Sequence, residues 1–324
     1  MSPPNTCHPI HDFKRLLLRF PQLGSLFLST AAVVMWRILT VAIMVLGTSP
    51  AQAAERSYRI QFDHTVLETL PHSRRSFTQG LIVDGDEMIE SSGLYGKSFL
   101  HRYPVVGNTD KHDHKNKAQY KALPRTIFAE GITLWNNKLY LLTWQNGQAL
   151  VLNPRTFELQ QRLEYEGEGW GLATFVHNED GKDQAQLVMS NGSDQLTFRD
   201  VETFAALRTL AVTDQQRPVH QLNDLTVAQG LIWANVWHST KIVAIDPYSG
   251  VVVGKIDLRD LAAEQPSAHP EDVLNGIAWD EQRQGFWITG KRWAKRYLIR
   301  VEALWIRDQD ATTDIYRKPT KQKP

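Results

Sequence analysis

Cysteine is almost absent from this chain: among 324 residues there is one, Cys7. A lone thiol builds neither a disulfide framework nor a thiolate metal site. No charge sign dominates either. Lys and Arg number 36 against 35 Asp and Glu, a formal net charge of +1. No basic stripe stands out, which argues against a nucleic-acid-binding protein. The apolar run Ile38–Gly47 is well short of the roughly 20 residues that a membrane-spanning helix needs.

That run follows Arg37 and precedes Ala51-Gln52-Ala53. This is the layout of a secretory signal peptide cleaved after Ala53. Residues 1–53 are therefore expected to be removed and the protein to be exported, periplasmic or secreted; an uncleaved anchor is the alternative. Met35-Trp36-Arg37 by itself opens a compact signal, so a start at Met35 is a further expectation. Cleavage removes Lys14, Arg15, Arg19 and Arg37 but only one acid, Asp12, and leaves a slightly acidic chain. It also removes Cys7, so stability must come from the core, which a chain of this length is able to build.

What the chain has is a phrase repeated with variations. Phe77-Thr78-Gln79-Gly80-Leu81 returns as Phe128-Ala129-Glu130-Gly131-Ile132, then as Glu168-Gly169-Trp170-Gly171-Leu172. Leu222-Asn223-Asp224-Leu225 and Leu274-Asn275-Gly276-Ile277 follow. Anchored on Gly80, Gly131, Gly171, Asp224 and Gly276, the steps are 51, 40, 53 and 52 residues. A period near fifty with strand-like content predicts an all-β fold, a five-bladed β-propeller with one four-stranded blade per repeat. The second repeat shows the scheme: Gly131–Leu134, a polar turn at Trp135-Asn136-Asn137-Lys138, then Leu139–Trp144. The expected organisation is a propeller over residues 54–307, followed by a charged, disordered tail at 308–324. Arg56–Leu67 has no repeat of its own and is expected to complete the last blade, since ring closure removes an open edge. The polar insertion Asn108–Lys117 carries His112 and His114, which read as exposed loop histidines rather than metal ligands.

The residue before each anchor varies: Gln79, Glu130, Trp170, Asn223 and Asn275. If the repeats are equivalent, symmetry brings these side chains to one level around a central channel, where Glu130 is the sole ionisable member. Trp144 lies 14 residues after Glu130 and Trp237 lies 14 after Asn223, one register in two repeats. Lys291, after Thr289-Gly290, takes the corresponding exit position in the last repeat. With ten Trp in the chain, most are expected to pack between blades; Trp144, Trp170 and Trp237 are the candidates for the channel mouth.

These phrases, with Glu90-Ser91-Ser92-Gly93-Leu94-Tyr95-Gly96 and Ala234-Asn235-Val236-Trp237, resemble the glutaminyl-peptide cyclotransferases of the plant and bacterial type. The likeness runs from about Thr65 to Leu298. It implies a five-bladed propeller enzyme that converts N-terminal glutamine of peptides or proteins to pyroglutamate and releases ammonia. It also implies that no metal or other cofactor is needed. No nucleic-acid or membrane partner is expected for the mature chain, which is taken as a monomer.

By that resemblance Glu130 is the proton-transferring carboxylate, the alternative being a hydrogen bond to backbone between blades. Glu90 is the second acid candidate, either binding the substrate ammonium, sharing the proton work or organising its turn. Gln79, Asn223 and Asn275 offer amide groups matched to a carboxamide substrate. Trp144, Trp170 and Trp237 offer flat walls. Lys291 either stabilises an oxyanion, binds a peptide carbonyl or is a solvated lysine. Asp224, which departs from glycine, either binds an α-ammonium or caps a turn. A non-catalytic peptide- or glycan-binding propeller and a metal-dependent hydrolase are the competing readings; the latter wants several convergent oxygen and nitrogen ligands.

Overall fold

A computed structural model describes residues 58–106, 119–179, 181–307 and 315–316. The predicted signal peptide, His112 and His114, and the tail apart from Ile315–Tyr316 lie outside the described residues. Strand β1 is Tyr58–Pro71. The next twelve strands form three antiparallel sheets of four, each in chain order. The first sheet holds β2 (Thr78–Asp84), β3 (Glu87–Ser92), β4 (Phe99–Pro104) and β5 (Gln119–Ala122). The second holds β6 (Ala129–Trp135), β7 (Lys138–Thr143), β8 (Gln148–Leu152) and β9 (Leu159–Glu164). The third holds β10 (Leu172–Glu179), β11 (Lys182–Met189), β12 (Gln195–Asp200) and β13 (Ala206–Ala211).

After a small hairpin of β14 (Thr213–Asp214) and β15 (Arg217–Pro218), two further runs follow. One is β16 (Leu222–Ala228), β17 (Leu231–Val236), β18 (Lys241–Ile245) and β19 (Val252–Asp257). A single helical turn, α1 (Arg259–Ala263), leads to β20 (Leu274–Asp280), β21 (Gly285–Gly290) and β22 (Lys295–Arg307). Strand β1 pairs antiparallel with β22 from Tyr58↔Arg307 to Pro71↔Lys295. The start of the described chain thus completes the last sheet, as the repeat pattern requires. Strand β1 also pairs parallel with β19 through Ile60↔Gly254 to Phe62↔Ile256. This joins the last two runs into one nine-stranded sheet, which includes β23 (Ile315–Tyr316) on β22.

Local sequence accounts for the units. Asn136 and Asn137 both take positive φ (47° and 57°), and Trp135 pairs with Lys138. This is the two-residue turn whose twist suits a hairpin, and asparagine tolerates it well. Strand β7, KLYLLT, is buried along nearly its whole length because neighbouring sheets cover both faces. The outermost strands β5, β9 and β13 are largely exposed and carry Lys, Arg, Gln or Glu, which blunts their open edges.

The core divides into hydrophobic layers between consecutive sheets. Leu100 and Leu141 belong to the layer between the first and second, and Leu142 and Leu187 to that between the second and third. Val188 and Ile232 lie in the next, and Trp233 and Phe286 in the one after. Leu81 and Trp287 join the last run to the first sheet, closing the circle. The first strands do the same: β2 packs on β6, β6 on β10, β10 on β16, β16 on β20, and β20 on β2.

The repeated anchors explain how these strands approach so closely. A Cβ on Gly131 would stand 2.5 Å from the Leu172 backbone nitrogen, and one on Gly171 would run into the Asn223 carbonyl. The Gly131 N–H donates to the Trp170 carbonyl at 2.6 Å. Glycine is required where one backbone rests on the next. At the position where Asp224 replaces glycine, the carboxylate instead accepts the Ile277 N–H at 2.9 Å.

Candidate active site

Gln79, Glu130, Trp170 and Asn223 line one cavity of about 260 Å³, as their equivalent positions predict. Trp144, Trp237 and Lys291 line it too, together with Phe77, Phe128, Leu94 and Glu271. Burial separates a floor from a rim. Gln79, Glu130, Asn223, Lys291, Phe77 and Phe128 are buried, whereas Leu94, Trp144, Trp170, Trp237 and Glu271 are partly exposed.

Glu130, on inner strand β6, is 4% exposed. Its Oε1 accepts a hydrogen bond from Gln79 Nε2 at 2.9 Å. Burial holds its carboxyl well above the usual carboxylate range; the Lys291 ammonium and the Gln79 donor pull the other way, while the Glu168 and Asp224 charges add to the rise. Asn275 does not line the cavity. Its Nδ2 donates to the Thr78 carbonyl (2.9 Å) and to Gln79 Oε1 (3.3 Å), fixing the Gln79 amide so that its NH₂ faces Glu130.

The walls are aromatic and oriented. Trp144 Nε1 and Trp170 Nε1 both donate to Glu168 Oε2, at 2.8 and 3.0 Å, and Gln145 Nε2 donates to Oε1 at 3.0 Å. Burial works to raise Glu168, but these three donors prevail and hold its carboxyl below the usual range. Trp170 meets Trp237 edge-on at 5.4 Å, and Trp144 packs on Phe128 at 5.4 Å. Lys291 Nζ stands 4.7 Å from the Phe77 ring centroid and 5.8 Å from that of Trp237. Burial lowers the Lys291 pKa, opposed by the Glu130 and Glu271 charges. Two cavity groups are buried without a hydrogen-bond partner: Asn223 Oδ1, an acceptor, and Trp237 Nε1, a donor. Such groups are costly to leave unpaired, and they mark where a polar ligand group is expected.

Glu90 and Asp224 lie outside the cavity lining. Glu90, on β3, is 1% exposed and accepts from Thr78 Oγ1 (2.6 Å), His72 Nε2 (3.1 Å) and Tyr103 Oη (3.2 Å). The His72 Nδ1 faces the Trp293 carbonyl at 2.9 Å, so the ring stands between two oxygen partners. Burial alone works to raise Glu90, but the His72 charge and hydrogen bond, with the Thr78 donor, bring its carboxyl down to about 2. Asp224 is fully buried beside Asn223, and burial pushes its carboxyl well above the usual range despite backbone donors led by Ile277.

Sequence reading passed over Phe77 and Phe128, although both open the repeated phrase two residues before a site residue. It likewise passed over Glu168, which opens the third version. Nothing in the pattern points to Leu94 or Glu271. Among the described residues no three His, Cys, Asp or Glu side chains converge as a metal-ligand group.

Fold and cavity together define the class: an all-β protein with a buried carboxyl group on the floor of a cavity walled by aromatic rings. A family model described as glutamine cyclotransferase matches residues 38–301. A glutaminyl-peptide cyclotransferase of Arabidopsis thaliana is 35% identical over 260 residues, covering 79% of this chain and 76% of that protein. The crystal structure of Myxococcus xanthus glutaminyl cyclase superposes with a TM-score of 0.64 at 31% identity, covering 76% of this chain and 99% of that one. The chain belongs to the glutamine cyclotransferase family.

Proposed function

We propose that the cavity cyclises the N-terminal glutamine of peptides and proteins to pyroglutamate, releasing ammonia, with Glu130 as the proton shuttle and no metal in the chemistry. The observation that carries this reading is Glu130 itself, buried, held by one amide donor and raised above the ordinary carboxylate range. In the reaction the α-amine nitrogen attacks the side-chain carboxamide carbon, and a C–N bond forms within one residue. Holding the chain folded for that attack supplies much of the acceleration. Glu130, as carboxylate, takes the proton that the attacking nitrogen loses. It then gives that proton to the departing nitrogen as the old C–N bond breaks and ammonia leaves. A carboxyl raised by burial is a better base than a solvated one and still surrenders its proton, and general acid–base catalysis of this kind contributes about 10²–10⁴ in rate.

The remaining groups fit the substrate by chemistry. Lys291 and the Trp237 N–H supply positive potential and a donor for the oxygen that gains charge. The Asn223 carboxamide oxygen suits an N–H of the substrate amide or amine. Gln79, oriented by Asn275, holds Glu130 in place, and Trp144 and Trp170 flank the aliphatic stem of glutamine. Glu90, paired with His72 and unwilling to take a proton, belongs to the scaffold, and Asp224 to the packing of β16 on β20. A lining of only two carboxylates, Glu130 and Glu271, among amides, indoles and the Lys291 ammonium supports metal-free chemistry over metal-dependent hydrolysis. The closed order of inner strands and hydrophobic layers supports five blades, the last two linked through β1. No helix of the described residues is long and apolar enough to cross a membrane; export rests on the N-terminal sequence.

The deciding experiment incubates the mature protein with a glutaminyl dipeptide amide and follows ammonia with and without a strong chelator. Ammonia release untouched by the chelator is expected. No release would leave a binding protein, and chelator-sensitive release a metalloenzyme.

A further inference from the structure

The site reading accounts for the glutamine but not for the residue that follows it. Resting on that reading, we propose that the turn at Leu94–Gly96 is the subsite for the second residue of the substrate, with Tyr95 selecting aromatic side chains there.

A cavity of about 260 Å³ is small beside the roughly 300–1,000 Å³ of pockets that enclose drug-sized ligands. It takes the glutaminyl group, and the peptide must leave across the rim. Leu94 lines the cavity, whereas the next residue, Tyr95, is 48% exposed. Successive Cα atoms of the substrate are 3.8 Å apart, the same step as from Leu94 to Tyr95. Tyr95 packs on two residues of the cavity wall, edge-on to Phe128 at 5.4 Å and tilted to Trp144 at 6.3 Å. Its exposed face therefore extends the aromatic wall outward from the cavity.

Hydrogen bonds fix the backbone of the turn that carries this ring. The Leu94 carbonyl accepts from the Lys97 N–H (3.0 Å) and Ser98 Oγ (2.9 Å), while the Gly96 N–H donates to the Arg125 carbonyl (3.0 Å). Gly93 lies so close to the Phe128 ring and the Gln79 side chain that no Cβ fits there. Leu94 itself takes φ 88°, a conformation that L-residues rarely adopt and that surrounding contacts must impose. A half-exposed aromatic ring on a braced turn, packed against Phe128 and Trp144, offers a second aromatic ring a stacking surface.

The test compares kcat/KM for Gln-Phe-NH₂ and Gln-Ala-NH₂ in the unaltered protein, Tyr95→Ala and Tyr95→Phe. An aromatic pair of ordinary strength predicts a preference for Gln-Phe-NH₂ of about three- to tenfold, expressed in KM. Tyr95→Ala should abolish the preference by slowing Gln-Phe-NH₂, and Tyr95→Phe should retain it. Equal use of both substrates by the unaltered protein overturns the subsite while leaving the cyclase reading intact. So does a Tyr95→Ala variant that slows both substrates alike. Failure to release ammonia from either substrate overturns the cyclase reading and the subsite with it.

Discussion

Two glutamates of nearly equal burial have opposite fates in this molecule. Glu130 is 4% exposed and Glu90 is 1% exposed, yet the first carboxyl is raised well above its ordinary range and the second falls to about 2. Desolvation is the largest influence on both and acts in the same direction. The difference lies in what surrounds them. Glu90 receives the His72 imidazole, the Thr78 hydroxyl and the Tyr103 hydroxyl. Glu130 receives one amide from Gln79, with Lys291 acting only across space and two other carboxylates opposing it. A fully paired carboxylate is a structural element; a sparsely paired one at a cavity floor is free to exchange a proton.

The sharpest way to break this comparison is to remove each titrating group while keeping its shape. Glu130→Gln should fold normally and lose turnover by at least about 10² in kcat. The reverse pattern, with Glu130→Gln active and Glu90→Gln dead, would exchange the two roles. Loss in both variants with intact folding would indicate a shared relay.

Removing one partner of the buried pair should act on stability instead. Glu90→Ala removes the buried acceptor shared by His72 Nε2, Thr78 Oγ1 and Tyr103 Oη and should cost about 3–5 kcal/mol, read from the urea midpoint. The pH dependence of that midpoint separates the two carboxyls by sign. Glu90, depressed in the folded state, contributes stability that is complete above the ordinary carboxylate value of 4.5 and is lost as pH falls toward about 2. Glu130, raised in the folded state, contributes stability that is complete below 4.5 and is lost as pH rises. Glu90→Gln should therefore flatten the loss of stability below pH 4.5, and Glu130→Gln should flatten the loss above it.

The smallest expected effect is a displacement of the acid limb of kcat/KM. That limb should lie above the ordinary carboxylate range because Glu130 must ionise to act as base. Lys291 favours the ionised form, so Lys291→Met should move the limb to higher pH. A limb that stays in place would remove Lys291 from the electrostatics of Glu130.

By itself, the sequence determined the repeat and with it the inner ring. The spacing of Gly80, Gly131, Gly171, Asp224 and Gly276 reports where one first strand rests on the next, a backbone constraint that each repeat states locally. The residues preceding those anchors inherit equivalent places by symmetry, which is why Gln79, Glu130, Trp170 and Asn223 were legible as one site. Asn275 occupies an equivalent place too, but its side chain turns to the Thr78 carbonyl and the Gln79 amide, a choice set by its neighbour rather than by its register. Only the tertiary structure decided the chemistry of the acids. His72 reaches Glu90 from 18 residues away, its other nitrogen meets the Trp293 carbonyl 221 residues along the chain, and Lys291 comes from the last repeat to stand over Phe77 of the first. Protonation depends on which charges and donors meet a group in space, and the closure of the ring makes those neighbours, not its position in the chain.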